Sequence, residues 1–297
     1  MTYLVTGATG FIGSKLVDRL LARGDAVYYL ARRRSDKLPS QASFHPWNIA
    51  EKPELNALSR IDVVLHLVGE PIAQRWSDDV KKRIYDSRVD GTRRLVGAIR
   101  EVRHKPRALI CASAVGYYGD CGNDVVTEER RPGTGFLAEA CRDWEREAMR
   151  AGELGVRVVP IRIATVLGKE GGALKAMLPP FRAGIGGKFG SGRQWMSWIQ
   201  LEDLVRLFLF AADNTAVSGA VNGSSPQPVT NAEFSHALAT ALHRPALVPA
   251  PRFAMKLFLG EMADLLFTSL RVVPKASEEA GFKFEYPTLD RALQSVL

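Results

Sequence analysis

The sequence predicts an α/β protein built on a doubly wound parallel sheet, with a smaller second lobe. Three observations carry this. A glycine-rich turn, Thr6-Gly7-Ala8-Thr9-Gly10-Phe11-Ile12-Gly13, joins an apolar run to a helical pattern. Apolar segments then alternate with amphipathic ones through the first half of the chain, the pattern of parallel strands joined by crossover helices. Beyond Arg162 glycine and proline become dense, which marks a change of architecture.

Tyr3-Leu4-Val5 begins the first strand, 2–6, and Ser14 to Leu21 carries the first helix, 11–23. Further strands are expected at 26–31, 62–68, 108–113 and 156–163, with helices at about 78–102 and about 136–151. Asp78-Asp79 places acidic groups at the positive end of its helix, and Pro106 stops the chain after it. The stretch from Gly168 to Gly192, with Pro179-Pro180, reads as loop. A helix follows at 201–213, a short returning strand at Val221-Asn222, and helices at 231–243 and 253–267. The boundary is placed near residue 165. Residues 1–165 form a nucleotide-binding domain to which later elements return. Residues 166–297 form a substrate-binding lobe with a C-terminal module at about 250–297.

The 297 residues are 46% hydrophobic and 24% charged, ordinary for a globular chain. No apolar run of about 18 residues suggests a membrane span. A strand beginning at Tyr3 leaves no room for a leader peptide. Cys111, Cys121 and Cys141 form no CxxC pair, and the five histidines are scattered. A disulfide framework and a metal site are therefore not expected, and a cytoplasmic location is. The net charge of +8 raises nucleic acid as a partner. However, Arg100 to Arg107 follows a helix, where cations meet the negative dipole end, and no aromatic platform accompanies the basic clusters. Neither a nucleic-acid nor a membrane partner is expected.

Strand, glycine turn and helix together read as a dinucleotide-binding turn. The glycines allow close approach to a pyrophosphate, and the helix N-terminus supplies free N–H groups. An acidic residue about 20 positions on would hold the ribose of NAD. Here Ala31 stands 18 residues past Gly13, followed by Arg32-Arg33-Arg34. A guanidinium fork suits a phosphate, so NADP(H) is expected with Arg32 or Arg33 as its ligand. The alternative is a solvated charge run. His66, mid-strand among aliphatic residues, reads as a buried, hydrogen-bonded histidine.

These residues resemble the extended short-chain dehydrogenases/reductases, the sugar-nucleotide epimerase and dehydratase group. The TGxxGxxG turn, the Asp62-x-x-x-His66 strand, Val89-Asp90-Gly91-Thr92, Tyr118-Gly119 and Ile199-Gln200-Leu201-Glu202-Asp203 follow that family's order. A narrower resemblance rests on Gly69-Glu70-Pro71-Ile72, Ser87-Arg88, Ser113-Ala114-Val115-Gly116-Tyr117-Tyr118-Gly119, Trp144-Glu145, Gly190-Ser191-Gly192-Arg193-Gln194 and Ser197-Trp198-Ile199. Those look like an atypical branch known as epimerase family proteins, with a DUF1731-like C-terminus. The resemblance implies a Rossmann-like fold, NADP(H) and a homodimer through helices 78–102 and 136–151. The expected cofactor contacts are Gly7, Thr9, Gly10, Phe11, Ile12, Gly13, Arg32, Arg33, Asn48, Ile49, Leu67, Val68, Gly69, Ala112, Ser113 and Arg162.

The family's catalytic Tyr-x-x-x-Lys is absent. Gly135-Phe136-Leu137-Ala138-Glu139-Ala140-Cys141 occupies its place, and phenylalanine transfers no proton. Tyr117, Tyr118, Glu70 and Glu139 are the substitute proton donors considered, with Ser113 as a hydrogen-bond partner. Lys188, Arg193, Gln194 and Trp195 are the expected contacts to an unidentified small-molecule substrate. Two functions remain open: an NADP(H)-dependent oxidoreductase or epimerase, and a non-catalytic NADP(H)-binding sensor or scaffold.

Overall fold

The structure is a computed structural model that describes residues 1–245 and 248–297. The first half runs β1 (Thr2–Thr6), α1 (Phe11–Ala22), β2 (Ala26–Ala31), β3 (Ser43–Pro46), β4 (Val63–His66), α2 (Asp78–Glu101), β5 (Ala108–Ala114), β6 (Val125–Val126), α3 (Phe136–Met149) and β7 (Arg157–Ile163). The second half runs β8 (Thr165–Gly168), α4 (Gly172–Arg182), β9 (Trp195–Met196), β10 (Trp198–Gln200), α5 (Leu201–Asp213), β11 (Val221–Gly223), β12 (Val229–Thr230), α6 (Asn231–Ala241), α7 (Arg252–Leu259), β13 (Arg271–Val272), α8 (Lys275–Glu279) and α9 (Leu289–Val296).

Seven strands form one parallel sheet in the order β11-β7-β5-β4-β1-β2-β3. Alternate side chains feed two cores, as a strand's period of two requires. Tyr3, Val5, Leu65, Ile110 and Ile161 pack with Leu16 and Leu20 of α1 and Phe208 of α5. Leu4, Val64, Leu109 and Val158 pack with Leu95 and Ile99 of α2. The fold is therefore a Rossmann-like, doubly wound α/β sheet. Its strand order reverses between β1 and β4, and ligands bind outside the strand ends at such a switch point.

The structure departs from the expectation in the following elements. The stretch read as loop contains α4, held by buried Leu174, Leu178 and Phe181. Pro179 and Pro180 sit in its last turns, and the burial of that face outweighs the lost backbone donors. The single helix expected at 253–267 is broken. At Gly260 φ is +62°, a left-handed conformation favoured by glycine, and 3-10 turns run on to Phe267. Finally, β3, α8 and α9 were not expected. β3 is a four-residue edge strand ending in proline, too short to show a period.

The C-terminal segment is tied into the rest of the chain. β13 pairs with β6, and the backbone N–H groups of Glu285 and Tyr286 donate to buried Asp203.

Candidate functional site

The glycine turn reaches the end of β4. Gly7 has φ of +69°, and a side-chain carbon there would stand 2.8 Å from the Leu67 carbonyl carbon. A carbon on Gly13 would overlap the Gly7 carbonyl oxygen. Both positions therefore demand glycine, and the demand keeps α1 close to the turn. Gly10 caps α1 without a side-chain hydrogen bond, leaving first-turn N–H groups for an anion. Thr9, Phe11 and Ile12 belong to this turn. The Phe11 ring fills the space beside Gly168 and Gly171, so Phe11 faces a ligand through its backbone. We expect Gly13→Val to abolish dinucleotide binding while leaving the helical circular dichroism largely intact. Unchanged affinity by calorimetry would remove this turn as the phosphate site.

A hollow of about 1010 Å³ opens beside the turn. Thr9, Ala31, Arg32, Arg33, Trp47, Asn48 and Lys52 line it, as do Glu51 and Glu54. Lys52 is engaged with Glu101 at 2.7 Å, whereas Arg32 and Arg33 are exposed and have no carboxylate partner among the described residues. Of the expected contacts, Asn48 is on the hollow's wall. Ile49 instead packs its side chain against Gly91, which has no Cβ in the way.

Leu67, Val68 and Gly69 leave the end of β4. The N–H groups of Leu67 and Val68 donate to the Thr6 hydroxyl at 3.1 and 3.3 Å. That hydroxyl also lies 2.8 Å from His66 Nδ1, and His66 Nε2 lies 2.8 Å from the Thr92 hydroxyl. His66 is the buried, fully bonded histidine expected from its sequence context. Burial lowers its pKa from 6.5 to about 3. Between those values the unfolded chain binds a proton that the folded chain refuses. The stabilising effect is full above about pH 6.5 and declines as the pH falls toward 3, by about 1.4 kcal/mol per pH unit. From about pH 7 to about pH 5, wild type should lose about 2 kcal/mol more than His66→Gln in urea unfolding. Parallel losses would contradict this.

At the far side of the switch point, Ser113, Arg162 and Asn222 stand in register across β5, β7 and β11. Arg162 is buried. Its Nε and Nη2 donate to the two carboxylate oxygens of Glu145 at 2.9 and 2.8 Å. Its Nη1 donates to the Tyr118 hydroxyl and to the Glu128 carbonyl. Ser113 donates to Glu145 at 2.6 Å. Arg162 was expected at the cofactor. Each of its three guanidinium nitrogens donates within this network, as a buried guanidinium needs a carboxylate and hydrogen bonds.

The two tyrosines part company. Tyr118 is buried, donates to Asn222 Oδ1 at 2.7 Å and accepts from Arg162. Burial pushes its phenol up to about 12, against the lowering effect of Arg162. Both features count against Tyr118 as a proton donor. Tyr117 is half-buried and stacks face-on to Arg162, whose guanidinium carbon lies 3.6 Å from the ring centroid. Among the described residues its hydroxyl makes no hydrogen bond. Glu70 accepts from Gln74 at 3.3 Å and is half-buried, and Glu139 is exposed. Phe136 meets Trp76 edge-on at 5.4 Å, so its ring is engaged in aromatic packing.

On the second lobe, Lys188 and Arg193 are exposed and Trp195 lies under Arg271 at 4.2 Å. Gln194 is half-buried. Its amide donates to the carbonyls of Phe189 and Leu266, tying the loop to the C-terminal segment. Sequence reasoning missed Glu145, Asn222 and Lys52 as site residues. Glu145 had a signal, a carboxylate on the buried face of an amphipathic helix.

A glycine turn at a helix N-terminus, a polar hollow beside it and a hydrogen-bonded row at the strand ends define a dinucleotide-binding α/β protein. Residues 3–222 match the model of the NAD dependent epimerase/dehydratase family, and residues 250–296 match DUF1731, a domain of unknown function. The chain belongs to the NAD dependent epimerase/dehydratase family. It is 41% identical to the chloroplastic epimerase family protein SDR39U1 homolog of Arabidopsis thaliana, over 100% of this chain and 87% of that one. It is 42% identical to an epimerase family protein of Mycobacterium leprae, covering 97% and 93%. The crystal structure of human epimerase family protein SDR39U1 with NADPH superposes with a TM-score of 0.90 at 32% identity, covering 100% and 99%. MoeE5 in complex with UDP-glucuronic acid and NAD shares the fold, with a TM-score of 0.78 at 23% identity, covering 100% and 97%.

Proposed function

We propose that the chain is an NADP(H)-dependent oxidoreductase or epimerase acting on an unidentified small molecule. The carrying observation is the hollow beside the glycine turn, where Arg32 and Arg33 face solvent and Ala31 replaces the acidic residue that would repel a 2′-phosphate. The NADPH in the human relative, 32% identical along the full chain, supports the same cofactor. Bound NADP(H) would give or take a hydride.

The chain's own residues would manage the proton. Tyr117 Oη is the proton donor in this reading, since it is partly exposed and uncommitted. Arg162 fixes the ring by stacking, and Glu145 fixes Arg162. Ser113 has its proton on Glu145, so toward a ligand it acts as an acceptor. Glu70 is the second candidate. Lys188, Arg193 and the Trp195 ring suit an anionic, ring-bearing substrate. The three free, buried cysteines suit a reducing compartment such as the cytoplasm, and the outer faces of α2 and α3 are the surface for a homodimer.

One observation favours the second reading, a non-catalytic NADP(H) sensor or scaffold. The stretch 135–141, where the resemblance places Tyr-x-x-x-Lys, holds neither a tyrosine nor a lysine. Stopped-flow oxidation of bound NADPH against a panel of aldehydes and ketones, carboxylated aromatic ones included, separates the two. The enzyme reading expects at least one member to oxidise the cofactor in a single turnover. Stoichiometric binding with no oxidation by any member would favour the sensor.

A further inference from the structure

Five of the nine large apolar side chains exposed among the described residues lie in two stretches of the second lobe. Phe253, Leu257 and Phe258 of α7 are 78%, 70% and 74% exposed, and Ile185 and Val248 are 63% and 52% exposed. Helix α7 buries none of its residues. The patch is contiguous. Gly187 lies so close to the Val248 carbonyl that no Cβ would fit, and the Ala250 N–H donates to the Lys188 carbonyl at 2.9 Å. The turn carrying Ile185 and the approach to α7 are therefore one surface. An apolar cluster this exposed is a site of interaction.

The two stretches that carry it hold cations and no carboxylate. The sequence has no acidic residue between Glu170 and Glu202, and none between Glu233 and Glu261. Arg182 and Arg244 are exposed in these stretches and have no carboxylate partner among the described residues. Arg252 and Lys256 on α7 share Asp264, at 2.7 and 3.2 Å. A second copy of the chain is a poor occupant. Two-fold pairing would set these cations against each other. A surface that is anionic outside and apolar beneath satisfies both halves of the patch.

We propose that α7 and the turn at Ile185 form a peripheral docking face for an anionic lipid surface. Aromatic and aliphatic side chains enter the headgroup boundary, and the flanking cations meet the lipid charge. No helix among the described residues is long and apolar enough to cross a membrane, and docking at a surface needs none. The face departs from the expectation that no membrane partner exists. It was illegible in the sequence because a spanning segment shows as a long apolar run, while a docking helix shows only through its exposure.

The test is flotation of the full chain with vesicles of phosphatidylcholine alone or with added phosphatidylglycerol. The chain should float with the anionic vesicles at low salt, stay behind with neutral ones, and release as salt rises. The variant Phe253→Ser, Leu257→Ser, Phe258→Ser should lose flotation while its melting temperature and NADPH affinity stay at wild-type values. Arg182→Glu with Arg244→Glu should reduce partitioning by at least about tenfold. No flotation with anionic vesicles at low salt would overturn the proposal. So would full flotation of the triple-serine variant, which would reduce the effect to net charge. A dimer by light scattering that the triple-serine variant dissolves would identify the face as a self-interface and also overturn it.

Discussion

Replacing Arg162 by methionine should cost about 3–5 kcal/mol of unfolding free energy, the usual cost of removing one partner from a buried ion pair. Arg162 and Glu145 are both buried, and two hydrogen bonds join them at 2.9 and 2.8 Å. Without the guanidinium, Glu145 keeps a buried charge whose one remaining side-chain donor in this network is the Ser113 hydroxyl. The Tyr118 hydroxyl loses its donor, and Tyr117 loses the cation on its ring face. The double variant Arg162→Met with Glu145→Leu removes both charges and should recover most of the loss. Urea unfolding of the three proteins measures this. A loss below about 1 kcal/mol for the single variant, typical of solvent-exposed pairs, would mean that water reaches the pair and that the network is not a fixed support.

Tyr117→Phe should lower turnover by about 10²–10⁴-fold, the range for loss of a general acid, with NADPH affinity unchanged. Tyr117 does not line the arginine-bearing hollow, so binding of the cofactor's adenosine end should not respond. Tyr118→Phe serves as the contrast. It removes a buried hydroxyl bonded to Asn222 and Arg162 and should act mainly on stability. Turnover would be followed with whichever carbonyl oxidises bound NADPH fastest. Full turnover in Tyr117→Phe would exclude this phenol and move the role to Glu70 or to solvent.

The legible and illegible parts of the molecule differ in their physics. β1, β2, β4, β5 and β7 could be read because each lies in a continuous apolar run, as strands covered on both faces do, and α1 and α5 because each is long enough to show a helical period. The glycine turn could be read because its demand for absent side chains is written directly in the residues: Gly7 meets Leu67 and Gly13 meets Gly7 with no room for a Cβ. His66 could be read because a polar residue amid a buried strand must find partners. Arg162 was read as a cofactor contact because it stands at a strand end; its carboxylate partner was illegible, since only the fold brings Glu145 of α3 to it. The partners of the Gln194 amide were illegible for a similar reason, since they are carbonyls of Phe189 and, 72 residues away, Leu266. Helix α4 was hidden by its prolines, and α7 was extended too far because Gly260 could not be told from a tolerated interior glycine.

The central claim, that the hollow at the glycine turn is built for a 2′-phosphate, is tested most directly by calorimetric titration of NADPH and NADH. Wild type would be compared with the Arg32→Ala, Arg33→Ala variant. Loss of a charge-assisted phosphate contact corresponds to about 1.5–3 kcal/mol, or roughly tenfold to a hundredfold in affinity. The account predicts that wild type prefers NADPH by that margin and that the variant loses the preference while keeping its affinity for NADH. Equal affinities of wild type for the two cofactors would contradict it.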